Sequence, residues 1–287
     1  MRARSALFTL FGDVVRPAGG EAWLSVLTAC MGALDFTPEA TRTALHRMAA
    51  EGWVEPRRAG RYAAYRLTAA GVTRLEEAAA RIYRLRAADW DGRWRLLVCP
   101  SAGRDADVVR ELRWIGFGRL SPDTWISPHP HGRRVPDLLA ARGIDGDATR
   151  VVAERTDHDD AIVRRAWDLA ELRAAHAAFL DRWRHAEPPA EPRAAFTTRE
   201  RLVHHWRSFL FLDPGLPAAL LPEDWLGEEA AACFRALYEA VDAGAWRFYE
   251  ALTTTAPTAD VEPSPRTPAA SPFARGLDAL STTGRPR

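Results

Sequence analysis

Apolar residues recur at helical spacing through the first fifteen positions. Leu7, Phe8, Phe11, Val14 and Val15 predict one helix that stops before Arg16-Pro17 and Gly19-Gly20. A second short helix carries Trp23, Val26, Leu27 and Cys30 on one face. Thr37-Pro38-Glu39 reads as N-cap, N1 proline and acidic first turn, opening a third helix that Gly52 closes. The stretches 54–57 and 62–67 have strand character and flank Ala59-Gly60, which predicts a hairpin. Thr68 then caps a fourth helix, with Val72, Leu75, Ala79 and Ile82 at spacings of three and four.

Helix, helix, helix, hairpin, helix is the order of a winged helix-turn-helix. In that arrangement the third helix buries Ala40, Ala44, Leu45 and Met48. It turns Arg42, Thr43, His46 and Arg47 outward as a major-groove reading face, and Thr41 is counted with them. The hairpin carries Arg57, Arg58 and Arg61 around its tip for phosphate or minor-groove contacts, with Tyr62 and Tyr65 on the returning strand. The expectation rests on the set, because a lone arginine on a helix is more often a solvated face.

Beyond Trp90-Asp91-Gly92 the pattern changes to strand, helix, strand, helix, strand. The stretches are GRWRLLVCP, 104–115, DTWISP, 135–142 and 149–155. This suggests a small α+β sandwich of ferredoxin-like type with one strand unplaced. Its first strand ends in Cys99-Pro100, where a phosphodiester-cutting version would want a carboxylate for a metal. AIVRRAWDLAELRAAHAAFLDRW predicts one long helix, and two more helices follow around a proline-punctuated loop. The domains expected are therefore 1–86, 87–159 and 160–252, an α+β multidomain chain. The remaining 253–287, with 6 Pro and 10 Ser+Thr, reads as a disordered tail.

Charge sharpens the reading. Residues 1–86 hold 13 Arg against 8 Asp+Glu, a net of +5, whereas the rest holds 26 against 30. A basic first third on an acidic body is suited to a polyanion partner. Every basic residue apart from histidine is arginine. Three scattered cysteines exclude a disulfide framework, and no apolar run is long enough to cross a membrane, so a cytoplasmic protein with reduced thiols is expected.

Other chemistry is thinly signalled. His129 and His131 lie two apart in SPHPHGRR, with His158, Asp159 and Asp160 further on; an enzyme, metal-dependent or hydrolytic, on a regulator scaffold is the alternative reading. No HExxH, GxSxG or Walker-type glycine loop is present, and neither a catalytic residue, a resident metal nor a cofactor is expected. His204-His205 reads as a helix-surface pair. Nine of the eleven tryptophans fall between residues 89 and 246, mostly as core, with an aromatic-lined ligand pocket as the lesser reading.

Six stretches carry a resemblance. RSALFTLFGDVVRPAGGEAWLSVL, TRTALHRMAAEGWVEPRRAGRYAAYRLT, WDGRWRLLVCP, RELRWIGFGRLSPDTWISP, AWDLAELRAAHAAFLDRW and FLDPGLPAALLPEDWLGEEAAACFRALY resemble, in this order, the PaaX family of phenylacetate-degradation repressors and their relatives. The resemblance spans residues 4–249. It implies a winged helix, a ferredoxin-like middle domain and a C-terminal helical domain. It also implies a homodimer on a palindromic double-stranded operator, released by an aryl-acyl-CoA or acyl-CoA effector. Which residues hold that effector is not legible; Arg113, Arg164, Arg165 and Arg207 are the cations available for CoA phosphates.

Overall fold

The structure is a computed structural model, and it describes residues 1–83, 90–255 and 272–274. It divides into two compact units. One holds Met1–Leu85, Phe179–Arg207 and Glu229–Arg287; the other holds Arg86–Ala178 and Ser208–Glu228. The helical segment expected over 160–252 is thus shared between the two.

The first unit opens with α1 (Ala3–Leu10), which passes into a π-helical turn over Phe11–Val15 closed by Arg16 N–H donating to the Phe11 carbonyl. The single helix expected here is therefore two pieces, because the wider turn carries Asp13 inward. Next come β1 (Glu21–Trp23) and α2 (Leu24–Ala33). Trp23, expected on the second helix, belongs instead to a strand that pairs with the hairpin. The helix α3 (Pro38–Ala50) starts as its sequence predicts, with the Thr37 hydroxyl accepting from the Ala40 N–H at 3.2 Å. The hairpin is β2 (Val54–Ala59) and β3 (Tyr62–Leu67), and α4 (Ala69–Ile82) follows under its Thr68 cap. The sheet order is β1-β3-β2, antiparallel throughout. Gly60, at φ +58°, takes the first position of the two-residue turn, where a left-handed backbone suits glycine.

In the second unit, β4 (Arg93–Val98), α5 (Ala106–Trp114), β5 (Gly118–Ser121), β6 (Thr124–Ser127), α6 (Arg134–Ala140) and β7 (Thr149–Glu154) form one antiparallel sheet of order β5-β6-β4-β7. The strand that the pattern left unplaced is β5, four residues long and paired with β6 across Pro122-Asp123. Leu97 and Trp125 pack beneath Val108, Leu112 and Leu139 of α5 and α6. On the other face Trp94 and Ile126 meet Val163 of α7 (Asp159–Ala166), with Leu216 and Leu220. Gly118 is required by close approach: a Cβ there would lie 2.7 Å from that of Ala166.

The long helix expected from residue 161 onward breaks at Trp167-Asp168. Asp168 accepts from the Glu171 N–H at 2.9 Å and starts α8 (Leu169–Trp183), while Trp167 stacks on Trp94 with ring centroids 6.2 Å apart. Then come α9 (Pro192–Trp206) and the 29-residue α10 (Gly227–Thr255). Most of the expected disordered tail lies outside the described residues. Of those described, 253–255 are the last turn of α10. Pro272–Ala274 form a 3₁₀ turn whose Phe273 ring lies 5.5 Å from Tyr83, 5.9 Å from Phe234 and 5.3 Å from Tyr238, so these six residues depart from that expectation.

The core of the first unit joins its N-terminal elements to α9 and α10: Leu7, Phe11, Leu27 and Leu45 share one cluster with Phe196, Trp246 and Tyr249. At its centre Asp13 takes a 2.9 Å contact from the Arg199 Nε, and the hydroxyls of Tyr83 and Tyr238 both donate to it. Arg199 is fully buried, reaches Asp242 at 2.8 Å, and lies over the Trp246 ring. Burial opposes its charge, but Asp13, with Tyr238, Glu200 and Asp242, outweighs that and raises its pKa. Burial pushes the neighbouring Glu200 carboxyl well above its usual range, and Asp13 adds to the shift.

Two outcomes follow. Asp13→Ala leaves Arg199 buried without its main partner and should lower the unfolding free energy by about 3–5 kcal/mol in urea titration. Glu200 holds its proton in the folded chain and releases it when unfolded. Its stabilisation is therefore whole below pH 4.5 and lost as pH rises. Glu200→Gln removes that slope, so the variant should gain on the wild type between pH 4.5 and 7; parallel stability curves would refute the protonated state.

Candidate nucleic-acid interface

The third helix presents two faces. Thr41, Ala44, Leu45 and Met48 are buried, while Arg42, Thr43, His46 and Arg47 are exposed in a row on the opposite side. Ala40 is only partly covered, so the buried stripe begins one residue later than the pattern predicts. Thr41 leaves the candidate set for the same reason: it is fully buried, and its hydroxyl donates to the Thr37 carbonyl at 3.0 Å. Arg42 sits 3.7 Å from Glu39, both well exposed, a pairing too loose and too wet to hold its guanidinium. The row thus offers two guanidiniums, an imidazole and a hydroxyl with no backbone in the way.

The hairpin sorts its arginines into two kinds. Arg57 Nε donates to Glu21 Oε1 at 2.8 Å, and Arg66 Nε to Glu21 Oε2 at 2.8 Å. One carboxylate of β1 therefore clamps β2 and β3 from the side, and Arg57 is engaged within the fold rather than at the tip. Arg58 and Arg61 are exposed. Arg61 lies over the Tyr62 ring, 5.0 Å from its centroid, and donates to the Tyr62 hydroxyl at 2.9 Å. Tyr62 in turn meets Trp23 edge-on at 6.3 Å. Tyr65 is half-buried against the core, a packing residue. Glu21 and Arg66 were missed as members of this arrangement, since their pairing depends on β1, which three residues are too few to announce.

The histidine loop does not assemble a centre. The rings of His129 and His131 are 6.5 Å apart and perpendicular. His131 lies 2.8 Å from the Ser127 hydroxyl and stacks on Phe117 at 4.6 Å. Asp159 is buried and accepts from the Trp94 indole at 2.7 Å, a structural role. Among the described residues no three of His, Cys, Asp and Glu are grouped to hold a metal ion. His204 and His205 are half-buried rather than surface residues, and each has its own partner, Thr9 and Trp183. Of the arginines considered for CoA phosphates, Arg164 pairs with Asp160 at 2.6 Å and Arg207 donates to Ser5 at 3.0 Å.

Three family models match the chain: PaaX-like protein over residues 2–71, PaaX protein central Cas2-like domain over 87–163, and PaaX-like protein C-terminal domain over 167–251. The transcriptional repressor PaaX of Escherichia coli (strain K12) is 33% identical over 261 residues, covering 85% of this chain and 82% of the relative. Among solved structures, the uncharacterized protein Rv0674 from Mycobacterium tuberculosis superposes with a TM-score of 0.57 at 25% identity, covering 88% of this chain and 98% of that one. The central Cas2-like match fits the ferredoxin-like expectation for the middle of the chain.

His131 supplies a measurable consequence of this packing. Burial, with the nearby His129, lowers its pKa from 6.5 to about 3. The unfolded chain binds a proton there first, so stability should fall as pH drops from 6.5 towards 3. An NMR titration in which the His131 ring protonates near pH 6.5 in the folded protein would refute the buried neutral state.

Proposed function

The chain belongs to the PaaX family, and from this we propose that it is a cytoplasmic transcriptional repressor whose residues 1–83 form a winged helix-turn-helix. The observation that carries the reading is the exposed row Arg42, Thr43, His46 and Arg47 on a helix whose other face is sealed into the core. A helix of 13 residues with one free polar face has the dimensions to lie in a major groove and present side chains to base edges. Arg58 and Arg61 at the hairpin tip then act on phosphates, or reach into the adjacent minor groove. The relative's description as a repressor supports the same class, and the reading takes the protein to be no enzyme.

In this reading the protein binds as a homodimer. One winged helix offers too little surface for specific affinity around 10⁻⁸ M, and two-fold symmetry calls for a palindromic site. An acyl-CoA thioester is the proposed releasing effector. Shifting a two-state equilibrium from 1:99 to 99:1 takes about 5.5 kcal/mol of differential affinity, which a free aryl acid with few atoms is poorly equipped to supply.

Selection from a random DNA pool tests the class directly: a recovered palindrome supports it, and no enrichment overturns it. On the selected site, Arg42→Ala and Arg47→Ala should each cost roughly 1–3 kcal/mol and relax specificity at one position. Arg58→Ala with Arg61→Ala should instead weaken all sequences alike and reduce the salt slope by about one per lost phosphate contact. Arg57→Ala should change that slope least of the three, because Glu21 already holds this side chain. Matched acid and thioester pairs titrated against the complex test the effector; release by the free acid at equal concentration rejects the thioester.

A further inference from the structure

The end of α4 and the first half of α10 form an aromatic seat within the first unit. Tyr83, the residue after α4, stacks on Phe234 with centroids 6.3 Å apart and meets Tyr238 edge-on at 5.8 Å. Phe234 and Tyr238 lie one turn apart on α10, so their rings stand on the same face of the helix. Trp206 of α9 lies flat against Phe234 at 4.7 Å, and its indole donates to the Ile82 carbonyl at 2.9 Å. Three helices thus build the seat, and two of its rings carry the hydroxyls that donate to Asp13.

Phe273 fills this seat. Its ring is inclined 85° to Tyr83, 74° to Phe234 and 90° to Tyr238, so all three contacts are edge-to-face. Their centroid separations of 5.5, 5.9 and 5.3 Å fall inside the range that such pairs favour. The Arg235 guanidinium covers the same ring, 5.6 Å from its centroid, while its Nε donates to Glu239 at 3.0 Å. Three rings and a cation around one phenyl give the seat a defined shape. Pro272, just before the ring, fixes its own φ and lowers the entropy cost of holding so short a segment. The same chain reaches this far: α10 runs on from Tyr238 to Thr255 for about 26 Å, and residues 256–271 span up to about 50 Å when extended.

We propose that the seat of Tyr83, Phe234 and Tyr238 is a docking site for this chain's own Pro272–Phe273, which acts in cis as a detachable strap. Seated, the strap holds Tyr83 against α10 and covers the two tyrosines that satisfy Asp13. Lifted, it opens a path for water towards the Asp13–Arg199 pair and leaves α4 held to α10 by one ring fewer. Detachment is local, because the strap is a single 3₁₀ turn with Pro272 and Phe273 only partly buried, whereas the core behind it is sealed. The strap therefore sets how firmly the last turn of α4 is held, not whether the unit folds. It stands whatever the exposed face of α3 binds.

Amide hydrogen exchange on the full chain, read by mass spectrometry, provides the test. The reporter is the last turn of α4, where the Tyr83 N–H donates to the Ala79 carbonyl at 3.0 Å. Phe273→Ala should speed exchange there by about tenfold, with α3 and the sheet of the second unit unchanged. Phe273→Tyr keeps the ring and should exchange like the wild type. Arg235→Ala, at an exposed position, uncovers the ring and should give a smaller acceleration; added to Phe273→Ala it should have no further effect at the reporter. Wild-type protection should not change on dilution. A Phe273→Ala chain that exchanges like the wild type, or an Arg235→Ala effect that adds in full to that of Phe273→Ala, overturns the docking site. Protection that falls on dilution assigns the strap to a second copy and overturns the cis arrangement.

Discussion

The buried pair of Asp13 and Arg199 is the constraint on which the first unit depends. The two residues are far apart in sequence, one in the π-helical turn after α1 and the other on α9, and neither is tolerable alone in that interior. Their pairing makes the N-terminal motif and the C-terminal helices one folding unit, although the sequence between them builds a separate body. Two tyrosine hydroxyls complete the arrangement, one from the residue after α4 and one from α10. A buried ion pair is poor at adding stability but costly to break, so parting Asp13 from Arg199 leaves an uncompensated charge in the interior.

Local chemistry made much of this legible. The Thr37-Pro38-Glu39 start, the Thr68 cap and the hairpin turn at Gly60 are each decided within a few residues, and each falls where the sequence places it. What the chain hid depends on distance. Asp13 reads as an interruption in an apolar run, and only the arrival of Arg199 turns that interruption into a core residue. The strands β1 and β5, of three and four residues, carry no periodicity of their own; they exist because β3 and β6 are there to pair with. The break at Trp167-Asp168 escaped because the helical pattern runs through it, whereas Trp94 supplies a better place for the indole than a helix face would.

The candidate interface shows the same division. Which face of α3 is free follows from the spacing of Ala44, Leu45 and Met48, and the structure moved only its boundary, removing Thr41. Which hairpin arginines are free did not follow, because Glu21 is remote in sequence and its two partners are ordinary strand residues. Composition counts four arginines on this hairpin as equivalent; geometry separates them into two that hold the strands and two that face solvent.

That separation has a consequence for how the hairpin responds to its ionic surroundings. Fully hydrated charges interact with a distant partner through a screening layer of roughly 8 Å at physiological salt, and added salt thins that layer. Glu21 is mostly covered, with its two arginines in direct contact, so mobile ions have little room to intervene. Raising the ionic strength therefore silences Arg58 and Arg61 well before it loosens the strands that carry them. On the proposed function, the hairpin would lose its reach for a polyanion in high salt while its strands stay clamped by Glu21.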